Sequence, residues 1–141
     1  MLGLEFGWEI GVAFAVVLVL MALPHVSRKI HGHVDYIQTH ELHRMLKAGE
    51  SVAVLDLRPQ KEYSNYHIAE AIHLPLDKIE NYFAGMSQQD TGSAPTVLVC
   101  QSDLDSTRMA GRLRRRGMAN IRVMQGGMYR WKRDSFPIKR T

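Results

Sequence analysis

The longest apolar stretch of the chain, residues 10–23, carries no charged side chain. Extended back through Trp8, it approaches the roughly 20 residues that a helix needs to cross a bilayer. Pro24 ends the stretch, because proline breaks a helix. The pattern predicts a transmembrane anchor over residues 1–24. A cleaved signal peptide would carry positive charge before its apolar run, and a buried amphipathic helix would have a polar face; the sequence shows neither feature.

The charges on either side of this stretch predict its orientation. Arg28 and Lys29 follow it closely, whereas no lysine or arginine precedes it. Positive charge is enriched on the cytoplasmic side of membrane helices. We therefore expect a polar juxtamembrane linker over residues 25–34 and a cytoplasmic domain over residues 35–141. The expected location is the inner membrane of a bacterium, crossed once.

After the linker, short apolar runs alternate with helical patterns. Three runs rich in valine, leucine and isoleucine are typical of buried strands: residues 52–57, 96–100 and 121–124. Polar side chains that can cap a helix stand at Thr39 and Asp77, and a further helix is expected to begin at Ser106. Short helices are also expected over residues 59–64 and 128–133, with an extended piece over residues 72–75. Strands that alternate with helices predict an α/β domain with a parallel sheet.

Composition narrows the classes of function. The chain has 141 residues, 45% of them hydrophobic, a formal net charge of +4 and a single cysteine. It is too apolar for a disordered protein. A mildly basic domain favours anionic neighbours such as lipid headgroups, an acidic protein partner or small anions. No basic stripe interleaved with aromatic residues is present, so we expect no nucleic-acid partner.

The histidines at first suggest a metal site. His25, His31, His33, His40 and His43 precede the strands. Their spacing matches no closed ligand pattern, so we expect solvated side chains, no metal and no cofactor.

Cys100 ends a predicted strand just before a predicted helix. In open α/β sheets, ligands bind beyond the carboxyl ends of the strands. Converging backbone amides and the helix N-terminus favour a thiolate there. Position alone leaves two interpretations open: a reactive thiol, or a buried cysteine that packs as a small hydrophobic side chain.

Three sets of residues resemble the rhodanese-like family, from about residue 34 to residue 137. The first comprises Asp56, Arg58, Glu62, Tyr63, His67, Ile68, Ala71, Ile72, Leu74 and Pro75; Tyr66 stands where the family has glycine. The second is the strand over residues 97–100 that ends in Cys100. The third comprises Gly126, Gly127, Trp131, Phe136 and Pro137.

The resemblance implies a five-stranded parallel sheet flanked by helices and a sulfurtransferase or sulfur carrier. Cys100 would become a persulfide by attacking a small sulfur-donor anion or a protein persulfide, and would pass the sulfur to a thiophilic acceptor. The implied substrate-binding residues are Gln101, Ser102, Asp103, Leu104, Asp105, Ser106 and Arg58. We expect a structural role for His67 and a local ion pair between Arg58 and Glu62.

The loop after Cys100 departs from the family pattern. Asp103 stands where glycine is usual, and Asp105 where a cation is frequent. Carboxylates that point inward would repel a dianion such as thiosulfate. A second interpretation is therefore a catalytically weak or silent binding module at the membrane. A phosphatase of related fold is disfavoured, because Ser106 occupies the position of its essential arginine and Arg108 lies two residues later.

Overall fold

The computed structural model describes residues 11–14, 16–17, 33–86 and 92–141. The anchor predicted for residues 1–24 therefore lies largely outside the described residues. Within the described part of the chain, no helix is both long enough and apolar enough to cross a membrane. Residues 34–141 form a compact unit of their own.

Five parallel strands form a single sheet in the order β1-β5-β4-β2-β3. They are β1 (Asp35–Ile37), β2 (Ala53–Asp56), β3 (Ile72–His73), β4 (Thr96–Val99) and β5 (Ile121–Met124). The central strand β4 is buried at all four positions, which explains its continuous apolar sequence: helices cover both faces of a parallel sheet. Asp56 pairs with Val99, so β2 and β4 end side by side at the carboxyl edge.

Five helices accompany the strands: α1 (Thr39–Lys47), α2 (Gln60–Asn65), α3 (Ile79–Ala84), α4 (Leu104–Arg115) and α5 (Gly127–Arg133). Alternate residues of β4 enter two separate cores. Val97 and Val99 pack with residues of α1 and α5, including Trp131. Leu98 packs with residues of α3 and α4, including Leu113. The helices therefore lie in two layers, with the sheet between them.

The three predicted strands are confirmed, and the resemblance correctly implied five. β1 was placed in the domain but not recognised as a strand, because only Ile37 of its three residues is fully buried. The predicted helix starts were displaced. α3 begins two residues after Asp77 and α4 two residues before Ser106. Ser106 is therefore the third residue of α4, and its hydroxyl bonds the Asp103 carbonyl oxygen and the Cys100 sulfur.

Thr39 is not the cap that the sequence predicted but the first residue of α1, preceded by Gln38. Its hydroxyl donates a hydrogen bond of 2.6 Å to Asp134 Oδ2. This bond, with Arg133 and Arg130 nearby, holds the pKa of the Asp134 carboxyl below its usual value of 3.8. The threonine thus joins α1 to the end of α5 rather than starting its own helix.

A buried ion pair stands at the carboxyl end of β2. Asp56 is 0% exposed and Arg58 is 2% exposed, and Arg58 Nη2 lies 2.7 Å from Asp56 Oδ2. Arg58 Nε adds a second bond, 3.0 Å long, to Asp56 Oδ1. Arg58 thus pairs with Asp56, and the predicted partner, Glu62, was wrong. Asp56 is the partner because a buried guanidinium and a buried carboxylate have no water to stabilise their charges. Breaking such a pair costs far more free energy than breaking an exposed one.

Replacement of Arg58 with methionine tests how much this buried ion pair contributes to the free energy of unfolding. Because Asp56 would be left as an unpaired buried charge, we expect a loss of about 3–5 kcal/mol in the free energy of unfolding, measured by urea titration. Arg44→Met is the matched control: its pair with Glu50 is also 2.7 Å long, but the two side chains are 64% and 40% exposed. The control should lose less than about 1 kcal/mol, and equal losses in both variants would refute the assigned role.

Candidate active site at Cys100

Cys100 follows β4 directly, and its residue is 5% exposed. It contributes to the wall of a pocket of about 800 Å³ at the carboxyl edge of the sheet. Three segments and one helix face line this pocket: Leu57, Arg58, Pro59 and Glu62; Pro75, Leu76, Asp77, Glu80 and Asn81; Cys100 and Gln101; and Asp105, Met109 and Arg112. The thiol is therefore sheltered but next to a cavity that can receive a small molecule.

Among the described residues, the hydroxyl of Ser106 is the hydrogen-bond partner of the thiol. The expectation that backbone amides converge on the sulfur was wrong: no described amide donates to it, and Leu104 N donates to Ser102 Oγ instead. Cys100 Sγ lies 3.1 Å from Ser106 Oγ, and that hydroxyl also donates to the Asp103 carbonyl oxygen at 3.1 Å. A hydroxyl has one proton and can rotate. It can therefore donate to the carbonyl while the thiol is protonated, and turn to the sulfur when the sulfur carries negative charge.

The helix α5 holds the loop from the other side. Met128 N donates to the Cys100 carbonyl oxygen at 2.9 Å, and Tyr129 N donates to the Gln101 carbonyl oxygen at 3.0 Å. Gly127 makes this approach feasible. A Cβ atom there would lie 2.5 Å from both the Cys100 and Ser102 carbonyl oxygens, and its φ is +55°. Gly127 is thus the point at which α5 contacts the cysteine loop.

Arg58 connects the loop to two other segments. Its Nη1 donates to Gln101 Oε1 at 3.1 Å, and its Nη2 donates to the Tyr66 carbonyl oxygen at 2.6 Å. Gln101 Nε2 in turn donates to Tyr66 Oη at 2.9 Å. The residue after the cysteine is therefore fixed by a buried guanidinium and a tyrosine hydroxyl, although Tyr66 stands where the family pattern has glycine.

Three aromatic rings stack: Tyr63 lies between His67, at 3.9 Å, and His73, at 4.5 Å between ring centroids. His67 is buried, and its Nδ1 bonds the Tyr63 carbonyl oxygen. Burial raises the pKa of Tyr63, and the charge of Asp56 acts in the same direction. These contacts indicate a packing role for His67.

The two loop aspartates have different environments. Asp103 Oδ2 accepts a hydrogen bond of 2.7 Å from Gly126 N, so this carboxylate is bound to the turn before α5. Asp105 lines the pocket. Its side chain is 56% exposed and lies 3.6 Å from Arg108 Nη1. Asp105 is therefore the loop carboxylate that a substrate would meet.

The structure brings four of the predicted residues to the pocket wall: Cys100, Gln101, Asp105 and Arg58. Ser106 is buried behind the sulfur, whereas Ser102 and Leu104 are exposed and are not part of the wall. Sequence reasoning missed Glu80 and Arg112. The sequence could have indicated Arg112, because it stands seven residues after Asp105 and residues at that spacing share a helix face. It could not have indicated Glu80, because its partner Arg112 is 32 residues away in the chain.

Among the described residues, no group of histidine, cysteine, aspartate or glutamate side chains is arranged to hold a metal ion. His43 stacks on Phe136, with ring centroids 4.6 Å apart. His25 and His31 lie outside the described residues.

Comparison with known proteins identifies the family. A model of the rhodanese-like domain matches residues 38–134, and the chain belongs to this family. It is 30% identical to the uncharacterized protein slr1261 of Synechocystis over 70% of this chain, and it spans only 52% of that protein. It is 28% identical to the thiosulfate sulfurtransferase GlpE of Coxiella burnetii over 57% of this chain and 72% of GlpE.

A solved structure supports the fold. The rhodanese-like domain of the Anabaena protein Alr3790 superposes with a TM-score of 0.66 at 21% identity, over 77% of this chain and 81% of that one. At this identity, the likeness concerns the fold alone.

Gly127→Ala tests the contact between α5 and the cysteine loop. We expect it to destabilise the protein by at least about 2 kcal/mol more than Gly49→Ala, because backbone atoms must move to make room. Gly49 is the matched control: its φ is +69°, but an added Cβ would meet nothing within 4 Å, so only the left-handed backbone is penalised. Urea unfolding of both variants measures the difference. Equal losses would show that glycine is required at position 127 by its positive φ, and not by the close approach of the loop carbonyl oxygens.

Proposed function

We propose that the protein is a sulfurtransferase or sulfur carrier that forms a persulfide on Cys100. The observation that supports this most is the sulfur atom at the pocket wall with a rotatable hydroxyl 3.1 Å away. The thiolate attacks the outer sulfur of a donor, forms a new S–S bond and expels the remainder of the donor, which is sulfite if the donor is thiosulfate. A thiophilic acceptor then removes the outer sulfur and regenerates the thiolate.

The charges of the pocket bear on the choice of donor. Four carboxylates line it: Glu62, Asp77, Glu80 and Asp105. The two lining cations are Arg58, which Asp56 neutralises, and Arg112, which lies 3.3 Å from Glu80. A site with this excess of negative charge repels a dianion. We therefore propose weak activity with thiosulfate and better use of a neutral or protein-borne donor.

The exposed carboxylate of Asp105 also favours a second function, that of a catalytically silent rhodanese-like binding module. In such a module, Cys100 is only a packing residue of the loop. The two functions differ in one observable, which is whether Cys100 accepts sulfur.

Mass spectrometry after incubation with a sulfane-sulfur donor distinguishes them. We expect a mass increase of one sulfur atom that thiols remove and that is lost in Cys100→Ser. A Ser106→Ala variant should form the adduct more slowly, because the sulfur loses its hydroxyl partner. If several donors, including a protein persulfide, give no adduct, the silent module is the correct interpretation.

Asp105→Lys tests the charge argument. Replacing the carboxylate with a cation should raise kcat/KM for thiosulfate, measured as thiocyanate formed from cyanide, by about five- to tenfold. Glu50→Lys makes the same change in charge at an exposed residue that pairs with Arg44 and does not line the pocket. This control should leave the rate unchanged. No gain in Asp105→Lys, or an equal gain in both variants, would contradict the argument.

We also propose that residues 1–24 anchor the protein in the inner membrane of a bacterium, with the rhodanese-like domain in the cytoplasm. The support is the apolar run followed by Arg28 and Lys29. Topology reporters fused to each end test it: a cytoplasmic signal from the C-terminal fusion only is expected, and the reverse would refute it.

Contact with anionic lipid or an acidic partner is proposed as a secondary attraction. The arginines in and after α4 offer charge for it, but Arg108, Arg112, Arg114 and Arg116 form ion pairs with Asp105, Glu80, Asp35 and Glu80 respectively. These pairs reduce the charge available to a partner.

A further inference from the structure

We propose that Arg112 recognises the negative charge of the substrate in the Cys100 pocket, and that Glu80 restrains it. The inference rests on the proposed reaction of Cys100 and concerns which molecules reach it. Arg112 stands outside the loop over residues 101–106 that the family resemblance marked as the substrate cradle.

The helix α4 places this arginine in the pocket. Asp105, Met109 and Arg112 are separated by four and three residues, so they share one face of the helix. All three line the same cavity as Cys100. One face of α4 thus presents a carboxylate near the cysteine loop, an apolar side chain after it, and a cation one helical turn further along.

Arg112 is the lining cation best able to meet an anion. Of the lining residues that the structure describes, Arg58 and Arg112 are the cations. Arg58 is 2% exposed, and its donors already serve Asp56, the Tyr66 carbonyl and Gln101. The Arg112 side chain is 59% exposed, so its guanidinium can turn to a ligand without uncovering a buried charge.

Glu80 competes with any such ligand. Its Oε1 lies 3.3 Å from Arg112 Nη1, and its Oε2 lies 3.7 Å from Arg116 Nη2, with the Glu80 side chain 41% exposed. Ion pairs this exposed are weak. A substrate anion can therefore displace Glu80, whereas the pair still lowers the affinity of Arg112 for that anion.

These positions define a class of substrate. A negative charge next to the reacting sulfur, as in thiosulfate, meets the carboxylate of Asp105. A charge carried further along the molecule reaches Arg112. The site therefore fits a small sulfur compound whose single carboxylate or sulfonate group is not attached at the reacting sulfur.

Alkylation of Cys100 tests the inference without requiring sulfur transfer. The full-length protein has a single cysteine, so its reaction with 3-maleimidopropionate, whose carboxylate is several bonds from the reacting carbon, can be compared with its reaction with neutral N-ethylmaleimide. We expect Arg112→Gln to lower the ratio of the maleimidopropionate rate to the N-ethylmaleimide rate by about three- to tenfold, as removal of one nearby charge would. Arg116→Gln is the control with the same charge loss and the same partner, but it does not line the pocket, and it should change the ratio less than about twofold.

Glu80→Gln should change the same ratio in the opposite direction, with a rise of about two- to fivefold when Arg112 is present. In the Arg112→Gln background, the rise should be clearly smaller, because Glu80 then has no pocket cation to restrain. An unchanged ratio in Arg112→Gln, an equal fall in Arg116→Gln, or an equal rise from Glu80→Gln in both backgrounds would overturn the proposal. Failure of Cys100 to accept sulfur would instead refute the proposed function, and the two failures are therefore distinguishable.

Discussion

The contact between Asp56 and Arg58 is the interaction on which the site depends. Both side chains are almost fully buried, so neither charge can be stabilised by water. Asp56 ends β2, which lies beside β4 in the sheet, and the guanidinium that it holds reaches across to Gln101 and Tyr66. A residue that stabilises the sheet edge thereby also determines where the cysteine loop lies.

Hydrogen bonds fix the loop after Cys100 on two sides, and the sulfur faces a third side, which is the pocket. From one side, Arg58 and Tyr66 bind the side chain of Gln101. From the other, α5 donates backbone hydrogen bonds to the carbonyls of Cys100 and Gln101, an approach that only glycine at position 127 allows. Peptide groups bound in this way cannot rotate freely. The Cys100 sulfur consequently remains between the Ser106 hydroxyl and the pocket.

The sequence predicted the parts of the structure that depend on local pattern or on motifs. The central strands followed from apolar runs such as residues 96–100, and the place of Cys100 followed from the strand-to-helix transition. Contacts that depend on burial or on distant residues could not be derived. Glu62 stands four residues from Arg58, the spacing of a helical ion pair, and Asp56 stands two residues away; burial is what selects Asp56. The pair of Glu80 with Arg112 joins two helices, and the strand β1 has too few buried residues to show a pattern.

A crystal structure of the protein after treatment with a sulfane-sulfur donor tests most directly whether this fixed loop carries sulfur. We expect one additional sulfur atom bonded to Cys100 Sγ and directed into the pocket, with the Ser106 hydroxyl within hydrogen-bonding distance. The pair between Asp56 and Arg58 should be unchanged. An unmodified cysteine, or an added sulfur that faces the protein interior while the loop moves away from Arg58, would contradict the account.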